Sequence, residues 1–356
     1  MSGLNLPALG IKPVSRISPS RYYSFTICRL KEILAANRKF PLLPVSPAAR
    51  IGSVVHKIIE IANTSGIENE KRFNDLWQIE INKCEESMIN NPIEKHMVPL
   101  EETASNYEIK KLMALKMISS IFNEDWKKVP NQKEKFHEKW LETKDKRIGG
   151  KIDQIQKTTE GAVIIDYKTG NVVNGINGEL KEDYILQLKL YAGLYYENFK
   201  TWPVKLLLAG IDQSLHEIPF SPSECKVLLD QARNLLSETN NLISKGLSEE
   251  DFASPSPAAC KYCLYRPGCK KYWQKREDAA EWPVDIIGCV EEKGFSGNKL
   301  GRIVIKQGEA KYVVRALSSR HSFLYGTKKN ILMCNLGNDT SINHYIEQIM
   351  TTGYGF

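Results

Sequence analysis

Two short runs, RIGGKIDQIQ and GAVIIDYKTG, constrain this chain more than any other feature. Both are rich in β-branched residues and are separated by little more than a turn around Thr159 and Glu160, so they read as an antiparallel hairpin. Facing residues in such a hairpin have a constant index sum, and a turn centred between positions 159 and 160 sets Asp153 opposite Asp166. Side chains alternate along a strand, so Asp166 and Lys168 project from one face while Val163, Ile165 and Tyr167 project from the other. Two carboxylates and one amine are therefore expected on a single surface. Gly149 and Gly150, just upstream, leave room for the backbone of a ligand or mark a bend.

That trio suits one kind of chemistry. Paired carboxylates offer hard oxygen donors to Mg2+ or Mn2+, and such a cation neutralises phosphate charge and activates water. A lysine beside them orients water or offsets developing negative charge, whereas an arginine stays too basic to exchange a proton. By itself D-x-K is also a common surface ion pair, so its weight depends on its neighbours.

The flanking sequence reads as a mixed α/β (α+β) core. SPAARIGSVVHKIIEIANTSG predicts a helix with Ser46 as N-cap, Pro47 at the first helical position and Gly66 just past its end. Ile51, Val54, Val55, Ile58, Ile59 and Ala62 form its buried stripe, while Gly52, His56 and Glu60 follow at i, i+4 on a neighbouring stripe. Residues 67–135 read as a mainly helical insertion, KFHEKWLE as a further strand, and DYILQLKLYAGLYYENF as a helix with Gln187 and Tyr191 one turn apart. On that helix Tyr184, Tyr195 and Tyr196 read as core.

Eight cysteines occur in the chain. Three of them, Cys260, Cys263 and Cys269, fall in CKYCLYRPGC with C-x2-C-x5-C spacing, which lets neighbouring thiolates converge on a metal. A fourth ligand must come from elsewhere, and Cys28 is the best candidate, within RYYSFTICRLKEIL, where Ser20 is positioned to cap a short helix. Four thiolates satisfy zinc and an iron–sulfur centre equally well on spacing.

With 42% hydrophobic and 26% charged residues, the composition excludes a disordered or collagen-like chain. No run of 18 apolar residues occurs and the N-terminus lacks a signal-peptide pattern, so no membrane association and a cytoplasmic location are expected. The formal net charge of +7 is compatible with a polyanionic partner. After a charged linker ending at Pro283, short alternating runs predict a small antiparallel sheet or barrel, OB-like in character, and SINHYIEQIMTT reads as a terminal helix covering an edge. Lys293, Lys299, Arg302, Lys306, Lys311, Arg315, Arg320, Lys328 and Lys329 accumulate there with Phe295, Tyr312, Phe323 and Tyr325, a pattern that fits a single-strand-binding groove.

Taken together, GGKID, IIDYKTG, QLKLY and CKYCLYRPGC resemble the RecB-like branch of the PD-(D/E)XK nuclease superfamily, in particular its Fe–S members such as the CRISPR-associated exonucleases and the AddB nuclease module. The resemblance implies a restriction-endonuclease-like mixed sheet flanked by helices over residues 15–275, and the alternating runs beyond it read as a separate β-rich accessory domain at 283–356. It implies that Asp153 and Asp166 bind Mg2+ or Mn2+, that His56 adds a metal ligand, and that Lys168 assists the attacking water. Gln187 and Tyr191 match its QxxxY motif, which supports the active site or contacts DNA, and Cys28, Cys260, Cys263 and Cys269 match its [4Fe–4S] ligands. Two positions depart from the pattern: Arg29 follows Cys28 where the family often has proline, and Asp166 stands where glutamate is commoner. The implied activity is a metal-dependent deoxyribonuclease, an exonuclease on single-stranded or frayed ends in repair, recombination or antiviral defence. The competing reading is a non-catalytic DNA-binding or scaffold subunit. No phosphate-loop motif is present, so any unwinding falls to a helicase partner or a defence complex.

Overall fold

The structure is a computed structural model that describes residues 9–37, 41–122, 134–175, 178–276, 281–295, 299–326 and 330–355. Two compact units divide the chain: Ile11–Asn37 with Pro47–Ser248, and Met1–Gly10 and Arg38–Ser46 with Glu249–Phe356.

In the first unit, helices α1 (Pro19–Ile27), α2 (Arg29–Asn37) and α3 (Pro47–Ser65) precede a helical segment of α4 (Glu70–Ile89), α5 (Leu100–Thr103) and α6 (Tyr107–Phe122). Strands β1 (Glu134–Glu142), β2 (Gly149–Lys157) and β3 (Ala162–Lys168) follow, then α7 (Glu182–Phe199), β4 (Lys205–Gly210), β5 (Leu215–Glu217) and α8 (Pro222–Ser244). The five strands make one mixed sheet in the order β1-β2-β3-β4-β5, antiparallel except for the β3–β4 pair, which is joined through α7. β3 is central and buried along almost its whole length, as its near-continuous AVIIDYK run requires. α7 packs against α1, α8, β1 and β4.

α3 starts at Pro47, where a missing N–H costs nothing, and stops before Gly66, whose φ of 76° suits glycine. Its buried residues include Ile51, Val54, Val55, Ile58, Ile59 and Ala62. α1 differs from the sequence reading: Ser18 takes the N-cap position and Pro19 opens the helix, so Ser20 lies inside it. Cys28 sits at the extended break between α1 and α2, with φ −152° and ψ 102°, rather than on a helical turn. The two glycines before Asp153 also have a tighter role than ligand clearance. A Cβ on Gly150 would come within 2.8 Å of Pro19 and 3.2 Å of the Tyr191 ring, and one on Gly149 within 2.8 Å of Glu142. The chain's own packing fills that space.

The second unit contains α9 (Glu249–Phe252), α10 (Pro257–Lys261) and α11 (Lys270–Lys275), then β6 (Ile286–Phe295), β7 (Gly301–Gln307), β8 (Ala310–Leu317), α12 (Phe323–Gly326), β9 (Asn330–Cys334), β10 (Gly337–Asn338), β11 (His344–Ile346) and β12 (Thr352–Gly355). Its seven strands run in the order β10-β11-β8-β7-β6-β9-β12 around a core that includes Ile286, Ile303, Ile305, Val314, Ile331 and Met333. SINHYIEQIMTT is not a helix here: β11 pairs with β8 and β10, and β12 pairs with β9. Asn343 has φ 59°, which interrupts a helical path, and pairing with β8 and β9 outweighs the weak helical pattern.

Asp285 and Arg266 are both buried in this unit and form a two-point ion pair, Nε to Oδ2 at 2.7 Å and Nη2 to Oδ1 at 3.1 Å. Tyr272 donates to the same carboxylate at 2.8 Å, and so does the Asn335 backbone N–H at 2.9 Å. Arg266 Nη1 also reaches the Cys263 carbonyl at 3.3 Å. The segment carrying Cys260, Cys263 and Cys269 is thereby tied to the β-rich part of the same unit.

Candidate active site

The β2–β3 register is the one that a turn between Thr159 and Glu160 dictates, with Gln154 opposite Ile165 and Ile155 opposite Ile164. The recorded pairing stops at that point, one step short of Asp153 and Asp166. There the Asp153 carboxylate takes over, accepting the Tyr167 backbone N–H at Oδ2 over 2.8 Å. The acid thus substitutes for a ladder partner where the two strands begin to part.

Asp166 is 2% exposed, so its charge needs close compensation. Lys168 Nζ lies 2.8 Å from Oδ2, and Gln187 Nε2 donates to Oδ1 at 2.7 Å. Lys168 also donates to Gln187 Oε1 at 2.8 Å. A single amide orientation serves both neighbours, with its N–H toward the carboxylate and its oxygen toward the ammonium. Lys168 Nζ further sits over the Tyr184 ring, 4.6 Å from its centroid. Burial alone would depress the lysine, but Asp166, Asp153 and Tyr184 outweigh it and hold its pKa above the ordinary value. The ammonium form is therefore favoured, which suits charge stabilisation and water orientation better than proton abstraction.

Tyr191 is buried and donates to the Lys151 carbonyl at 2.8 Å. This bond fixes β2 two residues before Asp153, so the QxxxY pair splits into a residue that touches the acid and one that steadies the strand carrying its companion. Tyr184, read from the sequence as core, belongs with this group. Its position one turn before Gln187 on α7 was the available signal.

His56 is half-buried on α3, one turn beyond Gly52. α3 approaches the exit of β3 closely at Gly52, where a Cβ would meet Thr169 Oγ1 at 2.9 Å. Glu60 pairs with Lys57 at 2.9 Å. Among the described residues no set of three or more His, Cys, Asp or Glu side chains is arranged to hold a metal, so His56, Asp153 and Asp166 do not form a three-donor cage. The cluster does present a donor that suits a hard cation. Asp166 Oδ2 is buried, and the Lys168 ammonium lies 2.8 Å from it. Carboxylate oxygen of this kind fits Mg2+ or Mn2+.

Cys260 and Cys263 are buried and Cys269 is partly exposed. Cys260 lies on α10, and Cys269 immediately precedes α11. These three belong to the second unit and Cys28 to the first. The three neighbouring cysteines are not gathered as a metal-holding set, so the geometry adds nothing to the spacing argument for a cluster.

Much of the basic charge on the C-terminal strands is answered internally. Arg302 pairs with Glu292, Lys311 with Glu291, Arg315 with Asp339, and Arg320 with Glu347. Lys293 donates to the Tyr325 carbonyl at 2.7 Å, and Tyr312 is part of the core. Phe295 is 68% exposed and stacks on Tyr325, with centroids 4.9 Å apart. Lys328 and Lys329 lie outside the described residues. The raw count of cations in this region therefore overstates the charge offered to a polyanion.

The model of the PD-(D/E)XK nuclease superfamily matches residues 16–270. No curated protein matches the chain. Among solved structures, the crystal structure of SSO0001 is 14% identical, covering 70% of this chain and 95% of that one, with a TM-score of 0.25. The crystal structure of protein VC1899 from Vibrio cholerae is 12% identical, covering 65% and 62% of the two chains, with a TM-score of 0.21. Overlaps this loose leave the assignment to the family match. No helix among the described residues is long and apolar enough to cross a membrane. With its D-x-K strand beside a buried glutamine and a family match spanning well over half its length, the chain belongs to the PD-(D/E)XK nuclease superfamily.

Proposed function

We propose that the chain is a divalent-metal-dependent deoxyribonuclease of the RecB-like branch, acting as an exonuclease on single-stranded or frayed DNA ends, in repair, recombination or defence against foreign DNA. The observation that carries the hydrolytic reading is the buried Asp166 carboxylate, gripped at Oδ1 by Gln187 and faced at Oδ2 by Lys168. Asp153 and Asp166, with His56 as a further donor, are the residues assigned to Mg2+ or Mn2+. When bound, the cation supplies Lewis-acid neutralisation of the phosphate.

The protein groups have separable tasks in this account. Lys168 keeps its proton and directs it toward the phosphate oxygen that gains charge. Gln187 holds the ammonium and the carboxylate in fixed relation, and Tyr191 keeps β2 in line. Residues 15–275 are assigned to the nuclease domain and 283–356 to an accessory domain that engages DNA or a helicase or defence-complex partner.

The expected result is Mg2+- or Mn2+-dependent cleavage of end-labelled linear DNA by the wild type, with loss in Asp166→Ala and Lys168→Ala. Covalently closed circular DNA should resist. Equal cleavage by all three proteins would assign the activity to a contaminant, and absence of cleavage would favour a scaffold role. Cleavage of circles would make the enzyme an endonuclease.

Cys28, Cys260, Cys263 and Cys269 are assigned to a [4Fe–4S] cluster on spacing and family resemblance. Protein purified without air should be brown and contain iron and sulfide. A colourless preparation with stoichiometric zinc would replace that assignment by a zinc site.

A further inference from the structure

The β3–β4 ladder ends at Lys168 opposite Gly210, so the chain leaves the sheet immediately after the lysine of the D-x-K motif. Three separate elements hold it at this exit. The Ile211 backbone N–H, just beyond β4, donates to the Lys168 carbonyl at 2.9 Å. The Thr169 side chain lies against Gly52 of α3, closely enough that an added Cβ would meet its hydroxyl at 2.9 Å. The Thr169 carbonyl accepts a hydrogen bond from Lys110 Nζ on α6, a helix 59 positions earlier in the chain.

We infer that Lys110 is a positioning residue for the nuclease reaction, fixing the Thr169 backbone so that the Lys168 ammonium stays aimed at Asp166 and Gln187. This inference deepens the proposed hydrolytic function and rests on it. A carbonyl that has left its ladder needs a new donor, and a lysine supplies a charge-assisted one. Water would satisfy the same carbonyl without an ammonium having to be partly dehydrated. Burial lowers the Lys110 pKa, and Asp212, at the end of the neighbouring strand, counteracts that effect through its charge. Lys110 thus ties α6 to the exit of β3, which gives that helix a direct hold on the strand carrying Asp166 and Lys168.

The test compares wild type with Lys110→Met, which keeps the stem's bulk, and Lys110→Arg, in steady-state cleavage of a labelled oligonucleotide with Mn2+ over a range of substrate concentrations. Lys110→Met should lower kcat on the order of 10- to 100-fold while KM changes less than about 2-fold, and Lys110→Arg should recover much of the rate because it restores a charged donor. Hydrogen exchange at residues 167–170, which needs no activity, should accelerate in Lys110→Met and return toward wild type in Lys110→Arg. A rise in KM with kcat unchanged would overturn the inference and make Lys110 a phosphate-binding residue. Unchanged exchange would overturn it as well. Inactive wild type with faster exchange in Lys110→Met would refute the nuclease reading while leaving the backbone role of Lys110 intact.

Discussion

Gln187 donates its side-chain amide to Asp166 Oδ1 at 2.7 Å, so the buried acid of the D-x-K motif is held by a helix as well as by Lys168 of its own strand. The same amide accepts from Lys168 at 2.8 Å. Gln187→Leu keeps the volume and removes both bonds, leaving a buried carboxylate less satisfied. Cleavage is expected to fall on the order of 10- to 100-fold, with about 1–3 kcal/mol of stability lost. Single-turnover kinetics and urea denaturation read these two effects separately.

Tyr191 offers a contrast, because its hydroxyl serves the Lys151 carbonyl. Tyr191→Phe should cost about 1 kcal/mol of stability and leave DNA affinity unchanged within about 2-fold. A large loss of affinity with unaltered melting would show instead that the hydroxyl meets DNA. Melting and filter-binding measurements on one preparation distinguish the two.

The Arg266–Asp285 pair is buried in the second unit and links the cysteine segment to the strands that follow it. Removing one partner leaves a charge without compensation, so Asp285→Ala is expected to cost about 3–5 kcal/mol. The double variant Arg266→Met with Asp285→Ala should be less damaged than the Arg266→Met and Asp285→Ala effects summed. Guanidinium denaturation of the four proteins closes that cycle. The pair also predicts that a chain ending at residue 275 loses solubility, because it retains Arg266 without Asp285.

Glu347 gives a pH signature. Burial opposes its charge, but His321, the Ser318 backbone N–H and the Arg320 guanidinium prevail and hold its pKa down to about 2. A carboxyl depressed in the folded state contributes stability above its ordinary pKa of 4.5, and that contribution disappears as pH falls toward about 2. Glu347→Gln should therefore be less stable than wild type at neutral pH, and the gap should narrow through this acidic window. Denaturation midpoints measured across it check the sign.

The hairpin register was readable because a short turn fixes strand pairing, and the pairing of Gln154 with Ile165 follows from the position of that turn. The bounds of α3 were readable too, since Pro47 and Gly66 act through local backbone preference. Other features depend on contacts between distant parts of the chain. The space at Gly150 is filled by Pro19 and Tyr191, residues that its immediate sequence does not announce. The segment after Asn343 pairs with strands formed much earlier, which overrides its local pattern. Arg315 and Arg320 look available to a polyanion until the fold brings Asp339 and Glu347 against them. Lys110 carries no motif, and its meeting with Thr169 becomes visible when α6 and the end of β3 are seen together.

Mn2+ binding followed by electron paramagnetic resonance, in wild type and Asp166→Asn, tests the central claim most directly. The substitution keeps the shape of a buried side chain that Gln187 already contacts, and removes its charge. Wild type should bind Mn2+ and cleave DNA, while Asp166→Asn should lose both the bound signal and the cleavage. Mn2+ bound equally by the two proteins, with equal cleavage, would contradict the account.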